Sequence, residues 1–101
     1  MSLSKKQIKQ LRTQANSLKP LFYVGKNDLT EAAVKQADET IEIHELIKCA
    51  VQDGSGLTAK EAADELAEQL GAEVVQSIGN RFVLFRRSKR DDIEHIRLVR
   101  E

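Results

Sequence analysis

The 101-residue sequence predicts a two- to three-layer α/β domain with its elements in the order α-β-α-β-α-β-β and a mixed four-stranded sheet. Three observations carry that prediction. Helix-opening cap patterns recur three times, each followed by apolar residues at helical spacing. Short apolar runs lie between the helices, too short to be helices themselves. Finally, the last two apolar runs are separated by Gly79-Asn80 alone, a spacing that forces a hairpin.

The first helix is opened by Ser4 and Gln7, an S-x-x-Q capping box, with Leu3 and Ile8 at the staple positions. Ile8, Leu11, Ala15 and Leu18 form its apolar stripe, and Pro20 ends it. Residues 21–24, LFYV, read as a strand that is apolar on both faces, hence central and covered on both sides. A second helix begins near Thr30, or two residues earlier if Asp28 and Glu31 act as the cap pair, and buries Val34, Ala37 and Ile41. HELIKCAV, residues 44–51, alternates Ile47, Cys49 and Val51 against Leu46, Lys48 and Ala50, as a strand does. DGSG at 53–56 is a turn. Thr58 and Glu61 cap a third helix, which buries Ala62, Leu66 and Leu70 and stops at Gly71. The strands EVVQSI and RFVLFR complete the chain's regular structure.

A connection from the first strand to the second through a helix predicts a right-handed parallel crossover if the two strands are neighbours. The strand Phe82-Val83-Leu84-Phe85 is apolar on both faces, so it needs cover on its second side, and the first helix is the element available to supply it. After Ser88 the sequence is compatible with a short helix, an edge strand or an unstructured tail. The domain is therefore expected over residues 1–88, with a charged tail over 89–101.

Formal net charge is zero, but it is unevenly distributed. Residues 1–27 carry six basic side chains and no acid; residues 28–73 carry twelve acids and three lysines; residues 74–101 carry seven basic side chains against four acids. If the fold joins the two basic ends, one face attracts a polyanion and another repels it. A single cysteine, Cys49, excludes an internal disulfide, and no apolar run approaches membrane-spanning length, so a cytoplasmic location is expected. No Cys/His cluster has metal spacing, and nothing marks a nucleophile or a paired catalytic acid. No enzyme activity, metal, cofactor, small-molecule substrate or membrane association is expected, and no oligomeric state follows from the sequence. Phe22, Tyr23, Phe82 and Phe85 are candidate base-stacking surfaces; strand position assigns most of them to the core, leaving Tyr23 as the one of interest.

The chemistry concentrates at VGKNDLT. A glycine after a strand leaves the backbone free to turn and its amide unshielded. The helix start that follows presents unpaired N–H groups and a partial positive charge, which together suit a phosphate. Lys26 adds a flexible ammonium, and Asn27 can donate to phosphate or ribose.

GKND after the first strand, HELIK at the second and IGNRFVLFR in the final hairpin, in that order, resemble the CRM domain and, more closely, the stand-alone bacterial YhbY family, over roughly residues 3–88. The resemblance implies an RNA-binding module similar in fold to the C-terminal domain of bacterial translation initiation factor three. It also implies association with precursors of the large ribosomal subunit, hence ribosomal RNA as partner and a role in ribosome biogenesis. Related domains read G-x-x-G in the loop, like the backbone clamp of KH domains. Here Asp28 stands at the second glycine, and Phe85-Arg86 replaces Tyr-Arg. On this reading Gly25, Lys26 and Asn27 take phosphates. Lys5, Lys6, Lys9 and Arg12 of the first helix, with Arg81, Arg86, Arg87 and Lys89, widen the footprint. The competing expectation is a protein-interaction adaptor that uses the acidic surface of residues 28–73 to meet a basic ribosomal partner.

Overall fold

The computed structural model describes residues 3–25 and 29–100. Its elements follow the expected order: α1 (Lys5–Ala15), β1 (Phe22–Val24), α2 (Glu31–His44), β2 (Leu46–Val51), α3 (Ala59–Leu70), β3 (Glu73–Ile78) and β4 (Arg81–Phe85). The caps are those the sequence announces. Ser4 Oγ accepts from the Gln7 amide at 3.2 Å, and Gln7 Oε1 accepts from the Ser4 amide at 3.0 Å. Thr58 and Glu61 repeat the same reciprocal pair at 3.1 and 3.0 Å. Thr30 caps α2, so the boundary is the later of the two expected; Asp28, with Lys26 and Asn27, lies outside the described residues. Gly71 closes α3 in the left-handed region at φ 67°, where a Cβ is unfavourable.

The four strands lie in the order β1-β2-β4-β3. β1 and β2 are parallel; β2 and β3 each pair antiparallel with β4. In the two-residue turn between β3 and β4, Gly79 takes φ 61° and Asn80 does not share the positive φ, as in a type II′ hairpin. Asn80 then extends the ladder, since its carbonyl accepts from the Val51 amide at 2.7 Å.

One face of the sheet packs Phe22, Val24, Ile47, Cys49, Val51, Phe82 and Leu84 against the apolar stripes of α2 and α3. The other packs Leu46, Val75, Val83 and Phe85 against Leu11 and Ala15 of α1. β4 is thus central and apolar on both sides, and α1 supplies its second cover as expected. β1 departs from expectation. It is an edge strand, and only Phe22 and Val24 are buried, while Tyr23 is 53% and the adjoining Leu21 44% exposed. The apolar run there records one buried face plus one exposed aromatic, because α1 covers only the β2-β4-β3 part of that face.

β3 contains a bulge. Val74 pairs with Leu84 and Gln76 with Val83, leaving Val75 as the extra residue. Plain alternation would put Gln76 on the α2/α3 side with Val74. The bulge instead brings both Val75 and Gln76 to the α1 side.

After Phe85 the chain becomes an extended strap without regular secondary structure, held to the body at Glu45. This carboxylate is 1% exposed, on a residue with φ 63° that ends α2. It accepts from the amides of Ser88 and Ile96 at 2.7 Å each and from Arg87 Nη1 at 3.1 Å, and it pairs with His95 Nδ1 at 2.8 Å. Further on, Gln10 and Gln7 of α1 bond the backbone of Arg97 and Val99, and Ile96 and Leu98 pack onto the α1-side core. The tail is therefore laid along the flank of α1.

Burial pushes the Glu45 carboxyl upward, but the hydrogen bonds of His95, Ser88 and Ile96 and the charge of Arg87 outweigh it and hold the group below the usual carboxylate range. The bond to Glu45 in turn raises His95 above the usual imidazole range. A raised imidazole stabilises fully below its ordinary pKa of ~6.5, and that contribution is lost as pH climbs through the raised value. A lowered carboxylate stabilises above its ordinary ~4.3, and that contribution is lost as pH falls through the lowered value. Urea unfolding should therefore show this pair contributing most between those limits. His95→Ala should flatten the decline on the alkaline side. Glu45→Ala, which leaves two amides and a guanidinium without their acceptor, should cost about 2–4 kcal/mol.

Candidate nucleic-acid interface

On α1, Lys5, Lys9, Arg12 and Asn16 follow at spacings of four, three and four residues, which places them in one line beside the buried stripe. With Ile8, Thr13 and Gln76 of β3 they line a groove of about 520 Å³. Asn16 and Gln76 also belong to a second groove of about 190 Å³, which runs on to Lys48, Ile78 and Arg81. The two together form one continuous shelf along α1 and over the end of the sheet.

The far end of the shelf is a row across all four strands. Tyr23 pairs with Ala50, Ala50 with Arg81, and Arg81 with Ile78. The row adjoins the C-terminal end of β1, where the chain enters residues 26–28. Gly25 itself still forms a bridge within the sheet and is not among the glycines with a positive φ; the residues that follow it, 26–28, lie outside the described residues. A Cβ at this position would come 3.3 Å from Oε1 of the exposed Gln52 side chain.

Among the described residues, no ion pair joins Lys5, Lys6, Lys9, Arg12, Lys48 or Arg81 to an acid; the ion pairs lie at Lys60, Arg86, Arg87, Arg90 and His95. The acids of α2 and α3 (Glu31, Asp38 and Glu39; Glu61, Asp64, Glu65 and Glu68) are exposed on the other side of the sheet. The charge separation read from the chain is thus kept in part: the α1 cations lie opposite the acids of α2 and α3, with Glu73, which accepts from the Leu3 amide, as an acid on the α1 side.

The predicted group Arg81, Arg86, Arg87 and Lys89 does not stay together. Arg81 opens β4 on the shelf, and Arg86 follows its last residue, about 17 Å away at strand rise. Arg86 donates to Asp38 Oδ1 at 2.6 Å, to Glu42 Oε1 at 3.1 Å and to the Leu70 carbonyl at 2.8 Å. Arg87 holds Glu45 and stacks over the Phe85 ring at 5.5 Å. Lys89 lies beside Asp38, Glu42 and Arg86. These three belong to the scaffold that ties α2 to the strap. Lys6 is exposed on the outer face of α1, beside the groove and not lining it. Lys48 and Gln76 were not singled out by the sequence reading. The signal for Lys48 is a lone charge inside an apolar strand; Gln76 was concealed by the bulge.

Cys49 is fully buried, and burial pushes its thiol up to about 12, so it serves as a core side chain. Phe22, Phe82 and Phe85 are at most 2% exposed, which leaves Tyr23 as the aromatic that faces solvent.

Comparison with known proteins places these features in a lineage. The family model described as the CRS1 / YhbY (CRM) domain matches residues 3–86. The chain belongs to the CRS1/YhbY (CRM) domain family. Among curated relatives, it is 37% identical to "Probable RNA-binding protein YqeI" of Bacillus subtilis over 87 residues, covering 86% of this chain and 91% of that one. It is 32% identical to "Probable RNA-binding protein PA4753" of Pseudomonas aeruginosa over 88 residues, covering 87% and 85%. The solution structure of SAV1595 from Staphylococcus aureus superposes with a TM-score of 0.67 at 37% identity, covering 94% of this chain and all of that one. The CRM match stops at Arg86, so His95 and the strap lie beyond it, whereas every described shelf residue lies within it.

The split between shelf and scaffold arginines is testable through stability alone. Arg86→Ala should lower the unfolding free energy by about 1–3 kcal/mol, because it strips donors from two carboxylates and a carbonyl. Arg81→Ala, on an exposed side chain without an acidic partner, should stay within ~0.5 kcal/mol in the same urea titration.

Proposed function

We propose that this protein binds RNA with the α1 face and contacts ribosomal RNA during assembly of the large ribosomal subunit. The observation that carries the reading is the convergence of Lys5, Lys9, Arg12, Lys48 and Arg81 on one face with no acid paired to them among the described residues. Cations left without partners on a protein of zero net charge are suited to an external polyanion. The acids behind the sheet repel the same polyanion and so orient it. The names of the curated relatives point to the same ligand class, and Gly25, Lys26 and Asn27 follow in sequence directly on β1, the strand that carries Tyr23.

Phosphate contacts release counterions, so affinity for a single strand falls with a log–log slope of about 0.7 per contact. Six contacts, these five cations and Lys26, predict a slope of about 4.2. Filter binding to ribosomal RNA fragments at several salt concentrations should show Lys9→Ala and Lys26→Ala each reducing the slope by about 0.7, and Arg86→Ala leaving it unchanged. Asp28→Gly, which removes a carboxylate from the loop, should tighten binding. In cell extracts, cosedimentation with large-subunit precursors should disappear in the Lys5/Lys9/Arg12 triple alanine variant. Affinity that ignores both salt and Lys9 would transfer the function to the acidic face and to a protein partner.

A further inference from the structure

We propose that the row Tyr23, Arg81 and Ile78 is a stacking platform for unpaired nucleobases, so that the ligand on the shelf is single-stranded RNA and not a duplex. This rests on the RNA-binding reading and adds what part of the RNA is held. Tyr23 is 53% exposed and Ile78 65%, unusual for an aromatic and a β-branched residue in the strands of a two-sided sheet. The α1-side core reaches Val83, and in the next row outward Ile78 and Arg81 share a groove with Asn16, the cap at the C-terminal end of α1. Ala50, between Tyr23 and Arg81, is small and only 6% exposed, so the accessible surface of the row belongs to the ring, the guanidinium and the isoleucine.

The three side chains have complementary roles. A phenol ring and a guanidinium plane both stack on base faces, and both tolerate any base, since every base has a π face. Ile78 supplies an apolar edge. Neighbouring strands lie ~4.8 Å apart, so Tyr23 and Ile78 stand about 14 Å from each other with Arg81 between them, which is room for more than one splayed base. Along the adjoining groove Lys5, Lys9 and Arg12 provide cations for the phosphates of the same strand. A duplex keeps its bases stacked inside and could use only the cations; a single strand uses both. Charge complementarity selects the nucleic acid, and the exposed ring selects its unpaired form.

The sequence supplies its own probe. Tyr23 is the sole tyrosine and there is no tryptophan, so intrinsic emission reports on this one ring. The protein is titrated with a short oligouridylate, with an abasic oligomer of equal length and with a duplex of equal length, following both emission and affinity. The oligouridylate should quench Tyr23 and bind roughly 5- to 100-fold more tightly than the abasic oligomer. The abasic oligomer and the duplex should bind without quenching. Tyr23→Ala should remove most of that preference and leave abasic affinity unchanged, while Tyr23→Phe should keep it. A urea titration confirms that the variants are folded. Equal affinity for base-bearing and abasic oligomers, with unchanged emission and with Lys9→Ala still weakening both, would overturn the platform and leave the RNA-binding reading in place. Failure of the wild-type protein to bind any of the three would remove both.

Discussion

The architecture depends on one strand having no polar face. β4 buries Phe82 and Leu84 on one side and Val83 and Phe85 on the other, each at most 2% exposed. A strand like that is stable only if both sides of the sheet are covered, and burial of each such side chain contributes about 1.5–3 kcal/mol. α2 and α3 cover the first side, and α1 covers the second with help from the strap. Once α1 is pinned by Leu11 and Ala15 against β4, its line of Lys5, Lys9 and Arg12 has one place to go, alongside β3. The position of the cationic groove is thus a consequence of where hydrophobic cover is needed.

The same constraint sorts the arginines. Those at the far end of β4 meet the acidic C-terminal part of α2, and Arg86 and Arg87 are drawn into bonds with Asp38, Glu42 and Glu45. Arg81, which opens β4, meets no acid among the described residues. Two arginines five positions apart, one opening β4 and one just past its end, therefore do different things: Arg86 joins a helix to the strap, and Arg81 faces solvent with no ion pair among the described residues. Zero net charge conceals this because the acids are consumed at one end and on the back of the molecule.

Much of this was legible in the chain. Caps at Ser4, Thr30 and Thr58, the stop at Gly71 and the Gly79-Asn80 hairpin are local signals, set by backbone groups a few residues apart, and each appears where its residues stand. The need of β4 for a second cover was legible because apolarity on both faces has one explanation. The central placement of β1 was not correct: three residues are too few to tell a strand covered on two sides from an edge strand carrying an exposed tyrosine. The cluster of C-terminal basic residues dissolved because charge counts do not record partners that lie over 40 positions away. The strap was illegible for the same reason. Its anchor, Glu45, reads in sequence as the opening of the second strand, whereas α2 runs on to His44 and Glu45 is a buried junction residue with a positive φ.

The bulge in β3 has a bearing on how this sheet meets other sheets. An open sheet has two unpaired margins, and a long flat margin invites another chain to add to it. Here one margin is β1, three residues long. The other is β3, twice that length, and at its middle the extra Val75 breaks the even spacing of amides and carbonyls that an incoming strand would have to match. Removing that valine would restore a regular ladder but empty a place in the α1-side core, so packing and backbone regularity are set against each other at this position. The irregular solution leaves both margins poor templates, one through brevity and one through mismatch, and so discourages edge-to-edge aggregation.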